Sequence, residues 1–245
     1  MPHQLTNRRP LDLGLPEKIR DQLSADSFRV RAETSGESIE LLVMGFVGDD
    51  EQGLDSRSVV ELLSANPTKP VRVRINSPGG LAWDGIAVHN ALVKHAGEVT
   101  VEIEGLAGSA AAVIAVAGDR VKMAANGSMM IHRAWGIVLG NAIELEDTAA
   151  WLRKIDAAIA ATFAAKAGGD PAKFEELLSG KVDGTWMTAE EAKKLGLVDE
   201  ILPVRPGGGD AKDAARAEAE AALRAQADRR LIDRQRLLEH EFGRQ

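Results

Sequence analysis

Apolar and polar positions along this chain follow two periods that keep replacing each other. Ile39-Glu40-Leu41-Leu42-Val43-Met44-Gly45-Phe46-Val47 is mainly apolar, which predicts a strand over 39–47. Residues 56–65 space their apolar side chains three and four apart behind Asp55 or Ser56 as cap, which predicts a helix. Val71-Arg72-Val73-Arg74-Ile75 then alternates at period two, the mark of a half-buried strand. Further on, the same reading predicts a helix over 83–96, a strand over 99–103 and a small-residue helix over 109–117. Short strands over 121–123 and 129–132 come next, then a long helix over 142–167. Repeated strand–helix alternation points to an α/β domain with parallel or mixed strands.

The ends read differently. Residues 1–37 are polar and carry Pro2, Pro10 and Pro16, so they are expected to form a peripheral arm with one short helix over 16–23. Pro203 closes the alternating region, and Val204-Arg205-Pro206-Gly207-Gly208-Gly209 predicts a linker over 204–209. Residues 210–245 are rich in alanine, arginine and glutamate, with sparse apolar positions at Leu223, Leu231, Ile232, Leu237 and Leu238. That pattern predicts a charged helical tail, either solvated or serving as an assembly helix, without the three heptads a coiled coil needs. The folded domain is expected over 38–203.

Composition narrows the function classes. A chain of 245 residues, 44% hydrophobic, can bury one sizeable core. It has no cysteine, so neither disulfides nor thiolate metal ligation are available. A net charge of −7 and the absence of tyrosine argue against nucleic acid as a ligand. The N-terminus lacks an apolar signal core, and the most apolar stretch, 107–117, is too short to span a bilayer. A cytoplasmic protein with no membrane partner is the expectation. No His-x-x-x-His or carboxylate–histidine spacing suggests a metal, and no cofactor is expected.

Three short motifs carry the chemistry. Asn76-Ser77-Pro78-Gly79-Gly80 comes after a predicted strand, and paired glycines there would let backbone N–H groups face an anion. The competing reading is a tight turn with no ligand. Gly105-Leu106-Ala107-Gly108-Ser109-Ala110-Ala111 sets a serine among small neighbours at a helix start. A serine in that place is most often an N-cap, and the G-x-S-x-G signature of α/β-hydrolases is absent. Met130-Ile131-His132-Arg133 ends an apolar run on a histidine, which elsewhere would be satisfied by backbone in the core. His3 and His240 lie near the ends, and His89 and His95 sit six residues apart on one predicted helix, facing different ways. Taken jointly, the motifs supply an oxyanion turn, a hydroxyl nucleophile and a base, the parts that acyl transfer through serine requires.

Their order and flanks resemble the family of the Clp protease proteolytic subunit, serine peptidases built on the crotonase-like fold. The resemblance runs from about Ile39 to Leu202 and includes Gly196-Leu197-Val198-Asp199 near its end. It implies Ser109 as nucleophile, His132 as general base, and the backbone N–H groups of Gly80 and Ala110 as the oxyanion hole. It also implies Asp183 as third member of a triad, ahead of the Thr188-Ala189-Glu190-Glu191-Ala192 helix start, with one extra residue between the two. The same resemblance implies protein or peptide substrates, a ring-shaped homo-oligomer and a protruding handle helix over 142–167. It also raises the question of an ATPase partner. Gly108-Ser109-Ala110 replaces the family's usual Ala-Ser-Met, and Arg133-Ala134-Trp135 replaces its usual Gln-Pro flank. Those departures look more like the related head maturation proteases of tailed phages, which cleave scaffold and capsid precursors in the procapsid. A bacterial housekeeping peptidase working with an unfoldase is the alternative. A crotonase-fold acyl-CoA enzyme, a serine–lysine dyad using Lys122 or Lys154, and a ring subunit without activity are more distant ones.

Overall fold

Every second residue of the central strands is buried. Ile39, Leu41 and Val43, then Val71, Val73 and Ile75, then Val99, Val101 and Ile103, then Val121 and Met123 are at most 2% exposed. One sheet face is therefore a continuous aliphatic wall. The structure, a computed structural model, describes residues 32–35, 38–48, 56–180 and 184–204. The arm helix expected over 16–23, Asp183, residues 205–209 of the linker and the tail over 210–245 lie outside the described residues.

Ten strands and six helices are described. The strands are β1 (Ala32–Ser35), β2 (Ser38–Val43), β3 (Phe46–Val47), β4 (Val71–Ser77), β5 (Gly79–Gly80) and β6 (Val99–Gly108). β7 (Arg120–Ala124), β8 (Ser128–Ile131), β9 (Thr185–Thr188) and β10 (Glu200–Leu202) complete them. The helices are α1 (Ser56–Ala65), α2 (Ala82–Val93), α3 (Ala110–Ala115), α4 (Ala142–Ala167), α5 (Pro171–Ser179) and α6 (Ala189–Lys194). The main sheet runs β1-β2-β4-β6-β7-β10. From β2 to β10 its neighbours are parallel, and β1 is antiparallel to β2. This is the α/β architecture the periodicity predicts. The opposite sheet face carries polar side chains that pair diagonally across neighbouring strands, with Arg72–Glu102 and Arg74–Glu104 at 2.6 Å and Arg120–Glu200 at 2.9 Å. Among the described residues no helix is long and apolar enough to cross a membrane.

β6 is the element that shapes the site. It is ten residues long where a five-residue strand is expected, because it changes partner midway. Thr100–Ile103 pair with β7, whereas Leu106, Ala107 and Gly108 pair with β8. The pairing of β4 with β6 shifts register over the same stretch, and Asn76 Oδ1 accepts the Leu106 N–H there (3.1 Å). β8 in turn pairs antiparallel with β9. A second tier of sheet thus extends past the first. The strand expected over 39–47 also divides, since the chain leaves β2 after Val43 and Phe46–Val47 pair with Gly79–Gly80 in a small separate sheet. The helix expected over 83–96 ends at Val93, where Lys94 is the C-cap.

The long helix has the expected bounds because both ends are marked. Asn141 and Glu144 form a reciprocal capping box, and Gly168 closes the helix in a left-handed conformation (φ 64°). Its apolar stripe has two fates. Ile155, Ile159, Ala160, Phe163 and Ala164 are buried in the domain's own core, with Phe163 stacked on Phe174 of α5 at 6.1 Å. Ile143 and Leu145 in the first turns are instead 70% and 46% exposed. Only the N-terminal half is left uncovered.

Candidate active site

β4, β6 and β8 are adjacent parallel strands, so their C-terminal ends lie side by side. Each leads at once into one of the three motifs. Gly79 and Gly80 come after β4, Ser109 after β6 and His132 after β8. Register does the rest: Ser77 is opposite Ala107 and Gly108 is opposite Met130. A ligand crevice at the carboxyl ends of strands is the general outcome of this topology.

Ser109 is held by its backbone. Its N–H donates to Met130 O (2.8 Å), and its dihedrals are φ 50° and ψ −122°. It is the one non-glycine with positive φ among the described residues. Such a conformation costs on the order of 1–3 kcal/mol and persists only where surroundings impose it. The strand–serine–helix bend of a hydrolase elbow is thus present without the G-x-S-x-G signature. Ser109 makes no side-chain cap to α3. Its Oγ lies 2.8 Å from His132 Nε2. Ser109 thus occupies the N-cap position of α3 while its hydroxyl faces the His132 imidazole rather than the helix.

The glycine turn packs against the serine. Gly79 has φ +101°, and a side chain there would put its Cβ 2.6 Å from both Gly108 O and Ser109 Cβ, and 2.9 Å from Ala110 N. A Cβ on Gly80 would strike the Val47 backbone instead. Both glycines and Ser109 line one cleft of about 580 Å³, whose wall also includes His132, Phe46, Met130, Trp135 and Leu178. Ala110 is the first residue of α3, so its N–H has no carbonyl within the helix to meet. The sequence-predicted residues Gly80, Ser109, Ala110 and His132 are thereby brought to one place. Asp183 lies outside the described residues, but Gly184 lines the same cleft.

Ser77 and the apolar cleft wall were not singled out by the motifs. Ser77 is 1% exposed; its hydroxyl donates to Gly45 O, and its Oγ accepts the Gly79 N–H at 3.1 Å. The hydroxyl thus ties the glycine turn to the crossing between β2 and β3. Ser77→Ala leaves two buried backbone groups short of a partner, with an expected loss of about 1–3 kcal/mol. Urea unfolding of the variant checks this, and an unchanged midpoint would remove Ser77 from that role. Phe46 and Trp135, 39% and 63% exposed, carry no sequence signal beyond being aromatic.

The other candidate bases do not line the cleft that holds Ser109. Burial pushes the His89 imidazole below its ordinary range, partly offset by its hydrogen bond to Asn90. His95 Nε2 is 2.7 Å from Lys69 O. Lys122 is half-buried on β7, and Lys154 is exposed on α4.

The chain is similar to known proteins over most of the described residues. The Clp protease family model matches residues 42–205. The ATP-dependent Clp protease proteolytic subunit of Bacteroides fragilis is 32% identical over 141 residues, 57% of this chain and 67% of that protein. Its counterpart from Bacteroides thetaiotaomicron is 33% identical over 141 residues, 57% of this chain and 63% of that protein. A strand-end crevice, a serine bent out of regular geometry and a histidine on its hydroxyl all fall inside the matched span: the chain belongs to the Clp protease family of serine-type peptidases.

Proposed function

We propose that this chain is an endopeptidase that cleaves protein substrates at Ser109. The observation that carries the reading is the 2.8 Å approach of His132 Nε2 to Ser109 Oγ at the wall of an open cleft. In the reaction, Ser109 Oγ attacks the scissile carbonyl carbon while its proton passes to His132 Nε2. Negative charge develops on the carbonyl oxygen, where the N–H groups of Gly80 and Ala110 serve as donors. His132 then gives its proton to the leaving amine, and a water activated by the same imidazole releases the acyl group. Asp183 is assigned to Nδ1–H of that imidazole, fixing the tautomer that leaves Nε2 free to accept. The test is labelling of purified protein with a fluorophosphonate. Wild type should be labelled and Ser109→Ala should not; an unlabelled wild type would overturn the reading.

The finer assignment is cleavage of scaffold or capsid precursors during phage head maturation, supported by the Gly108-Ser109-Ala110 and Arg133-Ala134-Trp135 flanks. A second reading is favoured by the relatives, whose name specifies ATP dependence: a housekeeping peptidase fed by an unfoldase. Degradation of an unfolded protein without nucleotide or partner favours the first, and a requirement for both favours the second.

Assembly into a homo-oligomeric ring is part of the same proposal. Ile137 and Leu139, 83% and 96% exposed, join Ile143 and Leu145 in an uncovered apolar stretch along the chain. Large patches of that kind are uncommon on monomers. Ile143→Asp with Leu145→Asp should lower the oligomeric state by light scattering and lower activity with it, while the fold persists. Charge at Ile155 and Ile159, 3% and 7% exposed, should unfold the domain instead. A fully active wild-type monomer would exclude the ring.

A further inference from the structure

His132 stands just past the end of β8, where the chain turns away, and two hydrogen bonds fix the next two residues. Arg133 N–H donates to Leu178 O of α5 (3.1 Å), and Ala134 N–H donates to Asp156 Oδ1 of α4 (2.7 Å). Arg133, Ala134, Trp135 and Leu178 are all wall residues of the cleft that holds Ser109. Asp156 is half-buried and lies one residue beyond Ile155, a core anchor of the long helix. Residues 133–141 belong to no strand or helix, and these two hydrogen bonds tether the chain directly after His132. A charged acceptor makes the Ala134 tether the stronger kind of hydrogen bond.

We propose that Asp156 is a positioning residue for hydrolysis at Ser109. Its carboxylate holds the Ala134 N–H and so keeps His132 and the adjoining cleft wall in reacting geometry. It touches neither the serine nor the imidazole, and its whole effect passes through the backbone at residue 134. The inference rests on the peptidase reading above. It also makes α4 a mechanical support of the general base, in addition to its role in the core.

Removal of the acceptor frees the chain two residues after the base. Displacements of about 1 Å in a catalytic group cost on the order of 10²-fold in rate. Asp156→Ala is therefore expected to lose about 10² in kcat while KM stays within about threefold. Asp156→Asn keeps an oxygen at the same reach and should stay within about threefold of wild type in kcat. Asp156→Ser, too short to reach Ala134, should behave as the alanine variant and replaces it if that variant does not fold. The experiment measures kcat and KM on a peptide ester with full-length protein, with amide hydrogen exchange at Ala134 monitored in parallel. Slow exchange in wild type and Asp156→Asn, and fast exchange with lowered kcat in the acceptor-free variants, supports the proposal. Wild-type kcat in a folded Asp156→Ala or Asp156→Ser protein overturns it, as does an Asp156→Asn variant as impaired as the alanine one. Ester hydrolysis that persists in Ser109→Ala would overturn the underlying reading instead, and Asp156 with it.

Discussion

Ser109→Ala and His132→Ala should each lower kcat for peptide hydrolysis by about 10⁴- to 10⁶-fold, and the double variant should be no worse than either alone. The reason is geometric. Ser109 Oγ and His132 Nε2 lie 2.8 Å apart, and in the proposed mechanism the hydroxyl is activated through that imidazole. Removing either leaves the other without a task, which is why the losses do not add. Binding should change little, because the cleft wall of Phe46, Met130, Trp135 and Leu178 is untouched by both substitutions. KM should stay near its wild-type value while kcat falls. The strained backbone at Ser109 gives a second consequence. Alanine must hold the same φ of 50°, so Ser109→Ala relieves no strain. The measurement is steady-state hydrolysis of a fluorogenic peptide, with protein concentration taken from absorbance and folding checked by circular dichroism. A His132→Ala variant retaining more than about one per cent of wild-type kcat would exclude His132 as the base.

How far the residues disclose this site depends on the scale of the interaction that builds it. Period-two burial along 71–75 is a local pattern, and β4 is found where the alternation predicts it. The long helix is legible to its last residue because Asn141, Glu144 and Gly168 mark both ends chemically. Ser109, His132 and the glycine turn stand out because function needs particular residue types in fixed order. Pairing between distant strands leaves no comparable trace. Residues 104–108 look like a glycine-rich loop, yet they continue β6, because β8 takes over as partner where β7 stops. Phe46–Val47 look like the end of one strand, yet they pair with the glycine turn 33 positions on. The elbow at Ser109 is likewise a product of tertiary packing. Gly108 and Ala110 make room for it, but small residues alone do not announce positive φ. Asp156 is one carboxylate among several on a charged helix face, and only the fold brings it to the chain after His132.

Asp183→Asn should lower kcat by about 10⁴-fold while leaving the protein folded. The proposal that Asp183 completes the triad comes from the resemblance, and the surrounding chain supports it. β9 runs antiparallel to β8 with Thr185 opposite Ile131. Continuing that register by one residue brings Gly184 opposite His132. Gly184 has φ +94°, and a Cβ on it would lie 2.5 Å from His132 Cβ and 2.8 Å from His132 Cα. A side chain at 184 would therefore push the base away, and Asp183 is the residue directly before this contact. The start of α6 after this strand is fixed by the Thr188–Glu191 capping box. Asparagine keeps the size of the aspartate but no longer stabilises the imidazolium, and its amide can hold the ring in the wrong tautomer. The loss should therefore be in kcat, and it should leave fluorophosphonate labelling of Ser109 slow but detectable. Wild-type turnover in Asp183→Asn would remove Asp183 from the triad and leave the serine–histidine pair intact. A loss that tracks a fall in melting temperature would assign it to the fold instead.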